Sequence, residues 1–125
     1  MQKFSALSIV SPGGKKILEG KKTLEIRQWQ PDVLPLKNLV IVQNEKRLSS
    51  SGISEDPDGM AIAMVDIIEV RPWKENDLEA SCGSYWEDGW LAWEIVNVRP
   101  INYSQPVPAK LRIYDIELPQ QNREG

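Results

Sequence analysis

The sequence predicts one small α+β domain, organised as a β-barrel of about five to six strands with short flanking helices. The chain has 125 residues, of which 41% are hydrophobic, so it can bury one core but not two. Its short strand-like segments are separated by frequent breakers, 8 glycines and 9 prolines, and helical patterns are few and short. We assign residues 1–119 to this domain and predict a disordered tail at residues 120–125.

The first predicted strand covers residues 4–10, where apolar and polar side chains alternate. Ser11 is placed to cap a following helix, with Pro12 at the first helical position. Gly20 is expected just beyond the end of that helix, because glycine readily adopts the left-handed conformation found there. The predicted order is therefore strand, short helix, strand.

The middle of the chain contains two buried strands separated by loops. Two prolines make residues 28–36 a rigid loop. Residues 39–42 are continuously apolar, which predicts a strand buried on both faces, and Asn44 follows it at a strand end, where functional side chains collect. Residues 49–59 form a polar loop rich in breakers, and residues 60–70 form a long buried strand.

The last third of the chain continues this alternation. A short helix is predicted at residues 74–80 and an aromatic loop at residues 82–90. Residues 91–98 read as a strand that holds Glu94 among apolar neighbours, where a carboxylate needs a hydrogen-bond donor or a proton. Prolines punctuate the link from there to a final strand at residues 111–118.

The charge balance limits the partners. The chain has a net charge of −3, whereas proteins that bind nucleic-acid backbones draw most of their affinity from Lys and Arg. A local basic patch is still predicted from five residues: Lys15, Lys16, Lys21, Lys22 and Arg27. We therefore expect a small enclosed ligand, such as a nucleoside or a single splayed-out base, and no long duplex.

Cysteine and histidine usage excludes several kinds of site. The chain has no histidine and a single cysteine, Cys82, which excludes disulfides, Cys/His zinc sites and histidine-assisted nucleophiles. We expect no metal and no cofactor. No apolar run approaches the ~20 residues of a membrane-spanning helix and no secretory segment precedes the first strand, so a soluble cytoplasmic protein is expected.

One octet, residues 20–27, holds an ammonium, a hydroxyl, a carboxylate and a guanidinium. Read as a strand, it places Leu24 and Ile26 on one face. The opposite face carries three polar side chains: Thr23, Glu25 and Arg27. Lys22 joins them only if the chain turns before the strand begins. The alternative is an exposed strand whose charged side chains form a solvated face.

Within this octet, the spacing Gly-x-Lys-x-x-Glu-x-Arg resembles the signature of the ASCH family, the activating signal cointegrator homology domains. The similarity runs from residues 7–9 through the strand at 61–65 to the run at 91–100, and the chain resembles small bacterial stand-alone members. The resemblance implies a PUA-like β-barrel with helices flanking a cleft that the signature lines. One departure is Gly13-Gly14, where many members carry Trp-Ala.

The resemblance also implies binding of RNA or a modified nucleoside and, as in some small bacterial members, an amidohydrolase activity on N(4)-acetylcytidine. Amide hydrolysis needs a group that attacks or activates water and a donor for the oxyanion. The candidate catalytic residues are a lysine and two carboxylates: Lys22, Glu25 and Glu94, with Glu87 as the alternative to Glu94. The candidate binding residues are Thr23, Arg27, Trp29 and Asn44. Trp29 either stacks on a base or covers the end of the barrel.

Two further functions are compatible with the same residues. One is a PUA-like domain that binds RNA without catalysis, with Lys22 and Arg27 on phosphate. The other is RNA cleavage, in which these two cations stabilise a phosphorane while a carboxylate moves a proton. In each case we expect a nucleoside or single-stranded RNA as partner, no membrane association, and a monomer.

Overall fold

The computed structural model of the chain describes residues 1–121. Two short helices are present in this part of the chain, α1 (Gly13–Leu18) and α2 (Leu78–Ser81), and a single 3₁₀ turn at Glu75–Asp77 precedes α2. The remaining elements are strands: β1 (Gln2–Val10), β2 (Leu24–Arg27), β3 (Leu36–Asn44), β4 (Glu55–Asp56), β5 (Met60–Pro72), β6 (Leu91–Pro106), β7 (Ala109–Lys110) and β8 (Ile113–Leu118).

Six of the strands form one mixed sheet in the order β2-β6-β5-β3-β1-β8, and β4 pairs with β7 in a separate two-stranded sheet. β1 and β3 are parallel, and the other neighbours in the large sheet are antiparallel. The predicted α+β class, with few short helices, is confirmed. The barrel-like sheet is open within residues 1–121, because β2 and β8 are its edges and do not pair with each other.

The core covers both faces of the sheet. On β3, Leu39 and Ile41 pack in one apolar cluster with Trp93, whereas Val40 and Val42 pack in a second cluster on the opposite face. All of these side chains are at most 1% exposed. The prediction that residues 39–42 are buried on both faces is therefore confirmed, and the central strands hold the sheet between two apolar layers.

Helix α1 begins later than predicted. Pro12 occupies the N-cap position and the helix starts at Gly13, so the prediction that Ser11 caps the helix is wrong. Ser11 instead continues the pairing of β1 with β3, because its N–H donates to the carbonyl of Asn44 at 2.7 Å. Gly20 has a φ of +76°, as expected of a glycine that follows a helix C-terminus.

The two C-terminal strands also differ from the prediction. β6 runs through Pro100 to Pro106, because it continues to pair with β5, where Pro100 lies opposite Ala63 and Pro106 opposite Met60. The predicted last strand at residues 111–118 is shorter, since a turn with Arg112 at a φ of 58° separates β7 from β8.

The predicted disordered tail, residues 120–125, lies mostly outside the described residues. The described part extends only to Gln121, whose side-chain oxygen accepts a hydrogen bond from the N–H of Asn102 at 3.0 Å. The last strand ends at Leu118, which is fully buried.

Candidate functional site

The connection from α1 to β2 turns sharply and directs Lys22 inward. The N–H groups of Lys21 and Lys22 both donate to the carbonyl of Lys16, at 2.9 and 3.1 Å. The next residue, Thr23, is held on both sides by main-chain bonds: its N–H donates to Ala80 at 2.8 Å and its carbonyl accepts from Ile95 at 3.0 Å. The predicted turn before the signature strand is therefore present.

The ammonium group of Lys22 is buried and surrounded by three acceptors. Its Nζ donates to the carbonyls of Leu24 and Ser81, both at 2.9 Å, and lies 3.1 Å from Oε1 of Glu25. Because an ammonium carries three N–H bonds, these partners satisfy all of them. The side chain is 10% exposed, so the pairing replaces water almost completely.

Glu25 connects the two cations of the signature. One carboxylate oxygen faces Lys22, and the other accepts a hydrogen bond from Nε of Arg27 at 2.8 Å and lies 2.7 Å from Nη2. Burial alone raises the pKa of Glu25, but the charges of Arg27 and Lys22 and their hydrogen bonds outweigh it and hold the pKa below its ordinary value of 4.5. Glu25 is therefore a carboxylate at neutral pH.

Ser8 ties this network to the other end of the chain. Its carbonyl accepts from Nη2 of Arg27 at 2.8 Å, and its Oγ accepts from the N–H of Lys110 at 3.0 Å. The hydroxyl of Tyr114 lies 3.0 Å from the same Oγ and donates to the carbonyl of Pro108, just before β7, at 2.9 Å. The signature strand and the β7–β8 connection thus meet at one residue of β1.

The signature side chains form one wall of a cavity of about 470 Å³ that opens to solvent. Among the described residues, seven basic side chains line the cavity: Lys16, Lys22, Arg27, Lys46, Arg47, Lys110 and Arg112. Glu25 is the single carboxylate in the lining as far as the chain is described. This cavity, which we call the basic cleft, is therefore strongly positive within a chain of net charge −3.

Aromatic side chains complete the basic cleft. Trp73 and Trp90 both line it, and the main-chain N–H of Trp73 donates to the main-chain carbonyl of Trp90 at 3.0 Å. Within residues 1–121, the buried indole N–H of Trp73 has no hydrogen-bond partner. The indole N–H of Trp90 donates to Glu87 at 2.9 Å. The cleft thus combines cationic and apolar surfaces.

The structure brings four of the predicted site residues together. Lys22, Glu25 and Arg27 are in direct contact, and Asn44 lines the same cleft. Asn44 is 3% exposed and its side-chain amide donates to the carbonyl of Lys46. The side chain of Asn44 therefore positions the start of the loop that carries Lys46 and Arg47. Together with Lys110 and Arg112, these two residues form what we call the basic rim of the cleft.

Thr23 and Trp29 do not line the cleft. Thr23 is exposed, and its main chain makes hydrogen bonds to Ala80 and Ile95. Trp29 packs edge-on against Trp93 with ring centroids 4.9 Å apart, and Arg112 covers its ring at 4.1 Å. The prediction that both residues border the cleft is therefore wrong, whereas the alternative of Trp29 as a packing residue describes its contacts.

Glu94 and Glu87 lie in other clusters. Glu94 accepts a hydrogen bond from Nε of Arg71 at 2.7 Å, and the same guanidinium binds Asp77 through two N–H groups. Glu87 accepts a hydrogen bond from the indole N–H of Trp90. Neither carboxylate lines the basic cleft, so the structure does not bring the predicted later glutamate to Lys22 and Glu25.

Sequence reasoning missed most of the basic rim. Lys46 and Arg47 follow β3, and Lys110 and Arg112 flank the β7–β8 turn, whereas the predicted Lys15 and Lys21 do not line the cleft. The only available signal was a Lys or Arg just beyond a strand end. That signal is weak, because charged residues are common at such positions.

The described residues show neither a metal site nor a membrane-spanning segment. No group of three or more Cys, Asp or Glu side chains in residues 1–121 is arranged to hold a metal ion. No helix in that part of the chain is long and apolar enough to cross a membrane.

The fold and its cleft define a small mixed-sheet domain with a cationic cavity, and a sequence comparison identifies the family. The ASCH domain family matches residues 7–105, so the chain belongs to the ASCH family. ASCH domains are PUA-like and are associated with RNA binding. No curated protein sequence matches the chain.

One solved structure agrees on the fold. The crystal structure of ASCH from Zymomonas mobilis superposes with a TM-score of 0.52 at 21% identity, covering 86% of this chain and 87% of that one. Two single-residue variants of the Zymomonas mobilis protein match with TM-scores of 0.49, at 19% and 20% identity; they cover 85% and 86% of this chain and 76% and 87% of theirs. At such identities, the first likeness shows the fold alone.

Replacing Glu25 with Gln is expected to lower the free energy of unfolding by about 3 kcal/mol, since the variant leaves two cations without a counter-charge in a buried site. The matched control is Glu19→Gln, because Glu19 pairs with Lys21 at 3.3 Å while their side chains are 39% and 68% exposed. That control is expected to change stability by less than about 1 kcal/mol. Urea denaturation measures both free energies of unfolding. Equal losses in the two variants contradict the conclusion that Glu25 compensates two buried cations.

The same comparison carries a pH dependence. Because folding lowers the pKa of Glu25, its contribution to stability is complete above the ordinary value of 4.5 and is lost as the pH falls through the folded-state pKa. The gap between wild type and Glu25→Gln is therefore expected to narrow on acidification below 4.5. A gap that widens towards acid pH shows that folding does not favour the charged carboxylate.

Proposed function

We propose that the basic cleft binds a nucleoside or a segment of single-stranded RNA, with its interior on the base and, in the case of RNA, its rim on phosphate. The observation that carries this proposal is the concentration of seven cations around one carboxylate in a chain of net charge −3. Clustered Lys and Arg side chains are typical of sites that bind phosphate, because they provide most of the affinity for it.

The one carboxylate in the cleft does not oppose an anionic ligand. Glu25 is bonded to Lys22 and Arg27, so its charge is compensated within the wall. In contrast, the exposed side chains of Lys46 and Arg47 make no ion pair within residues 1–121. Lys46 and Arg47 are therefore free to contact phosphate, whereas Lys110 lies 3.8 Å from a carboxylate oxygen of Glu55.

The dimensions of the cleft favour one nucleotide over a duplex. Its volume of about 470 Å³ lies in the range of small-molecule sites, about 300–1,000 Å³. Apolar side chains such as Ile26, Trp73 and Leu111 line it beside the cations. A base that leaves the stack can bury its faces there, whereas paired bases remain outside.

Replacing Lys46 and Arg47 together with Ala is expected to weaken binding of a single-stranded RNA of roughly eight nucleotides about tenfold or more. The slope of log K against log salt should fall by about 0.7 for each phosphate contact removed. Fluorescence anisotropy at several salt concentrations measures both quantities.

The matched control for this double variant is Lys3→Ala with Lys37→Ala, since both lysines are exposed and lie outside the cleft. Equal losses in the two double variants, or preferential binding of a duplex, contradict the proposal. Shortened RNA after the titration assigns cleavage in addition to binding.

Hydrolysis of N(4)-acetylcytidine is the second candidate, because Lys22 Nζ and Glu25 Oε1 lie 3.1 Å apart in the wall of a nucleoside-sized cavity. To attack an amide or activate water, Lys22 has to give up a proton, for which Glu25 is the adjacent acceptor. The lowered pKa of Glu25 opposes this transfer, and no second carboxylate lines the cleft within the described residues. Binding is therefore the first proposal.

If the protein turns over N(4)-acetylcytidine, Lys22→Arg is expected to reduce the rate about 100-fold or more, since a guanidinium keeps its proton. Lys16→Arg is the matched control, because Lys16 lines the cleft outside the signature network and should retain the rate. Chromatography measures cytidine release, and urea denaturation checks that both variants fold. Absent turnover removes the hydrolase proposal, whereas turnover that survives Lys22→Arg removes Lys22 from the catalytic role; both outcomes leave RNA binding standing.

A further inference from the structure

A column of three side chains runs from the core to the basic cleft. Trp93 is fully buried and its indole N–H donates to the carbonyl of Trp29 at 3.1 Å. The two rings meet edge to face at 87°, with centroids 4.9 Å apart. Trp29 is therefore fixed at two points, through its main chain and through its ring.

Arg112 ends this column. Its Cζ lies 4.1 Å from the centroid of the Trp29 ring, within the range of a cation–π interaction. Arg112 lines the basic cleft, whereas Trp29 does not. The guanidinium of Arg112 is thus held over the Trp29 ring, and the same residue belongs to the wall of the cleft.

Arg112 differs in this respect from the other cations of the rim. Lys46 and Arg47 are exposed and their side chains make no ion pair or hydrogen bond within residues 1–121. Those two side chains lose rotamer freedom when they bind a ligand, whereas the stack on Trp29 already restricts Arg112. A restrained, planar cation suits a planar partner.

We propose that Arg112 is the stacking surface for a nucleobase in the basic cleft and that Trp29 is its positioning residue. This inference rests on the proposed binding of RNA or a nucleoside. Guanidinium planes stack on bases in RNA complexes, and the N–H edge stays free for phosphate or base oxygens. The base, Arg112 and Trp29 then form a three-layer stack supported by Trp93.

Replacing Arg112 with Lys separates this role from a simple charge contact. Lysine keeps the positive charge and removes the plane. The two probes are a single-stranded RNA of roughly eight nucleotides and an oligomer of the same length with an abasic backbone. Wild type is expected to bind the RNA about tenfold more tightly than the abasic oligomer.

In Arg112→Lys, this preference is expected to fall to about twofold while affinity for the abasic oligomer is retained. Arg99→Lys is the matched control and should keep the full preference, because Arg99 lies outside the basic cleft. Trp29→Leu leaves Arg112 in the chain but removes its support, so it should also lose most of the preference. Thermal denaturation confirms that each variant folds.

Two outcomes overturn the inference alone. In the first, Arg112→Lys keeps the full preference for bases, so no base stacks there. In the second, it weakens both probes equally, so Arg112 contacts phosphate only. If wild type binds neither probe, the proposed function itself fails and the inference with it; binding without an effect of Arg112 on the preference leaves the proposed function intact.

Discussion

A carboxylate held between two cations in a buried position determines the geometry of the cleft. Glu25 bonds Lys22 and Arg27, and these cations bond the main-chain oxygens of Ser81 and Ser8. The end of α2, strand β1 and strand β2 are therefore joined through one anionic side chain. Removing three charges from water costs free energy, so only complete pairing makes such a wall stable.

The strand order explains why the remaining cations collect opposite this wall. β1 and β3 are parallel, so their C-terminal ends lie side by side, where Val10 pairs with Asn44. β8 is antiparallel to β1, so it begins near the C-terminal end of β1. The segments after β3 and before β8 thus arrive beside α1, and the rim is assembled from parts that are distant in sequence.

Local patterns were sufficient for part of the site and not for the rest. The continuous apolar run predicted a strand buried on both faces, and the two-residue period of a strand predicted the face that carries Glu25. Trp29 and Glu94 could not be placed in this way, because residues far away in the sequence, Trp93 and Arg71, engage them. Residue type indicates which side chains suit a site, whereas tertiary contacts decide which of them face it.

The separation of charge within the molecule has a kinetic consequence. A chain with a net charge of −3 repels polyanions at long range, but its cationic cleft attracts them close to the surface. At physiological ionic strength the Debye length is about 8 Å, so an approaching strand senses the cleft only after it is nearly in contact. For the proposed binding of RNA, productive encounters are therefore those in which the cleft already faces the strand, and the orientation of the colliding molecules governs the association rate.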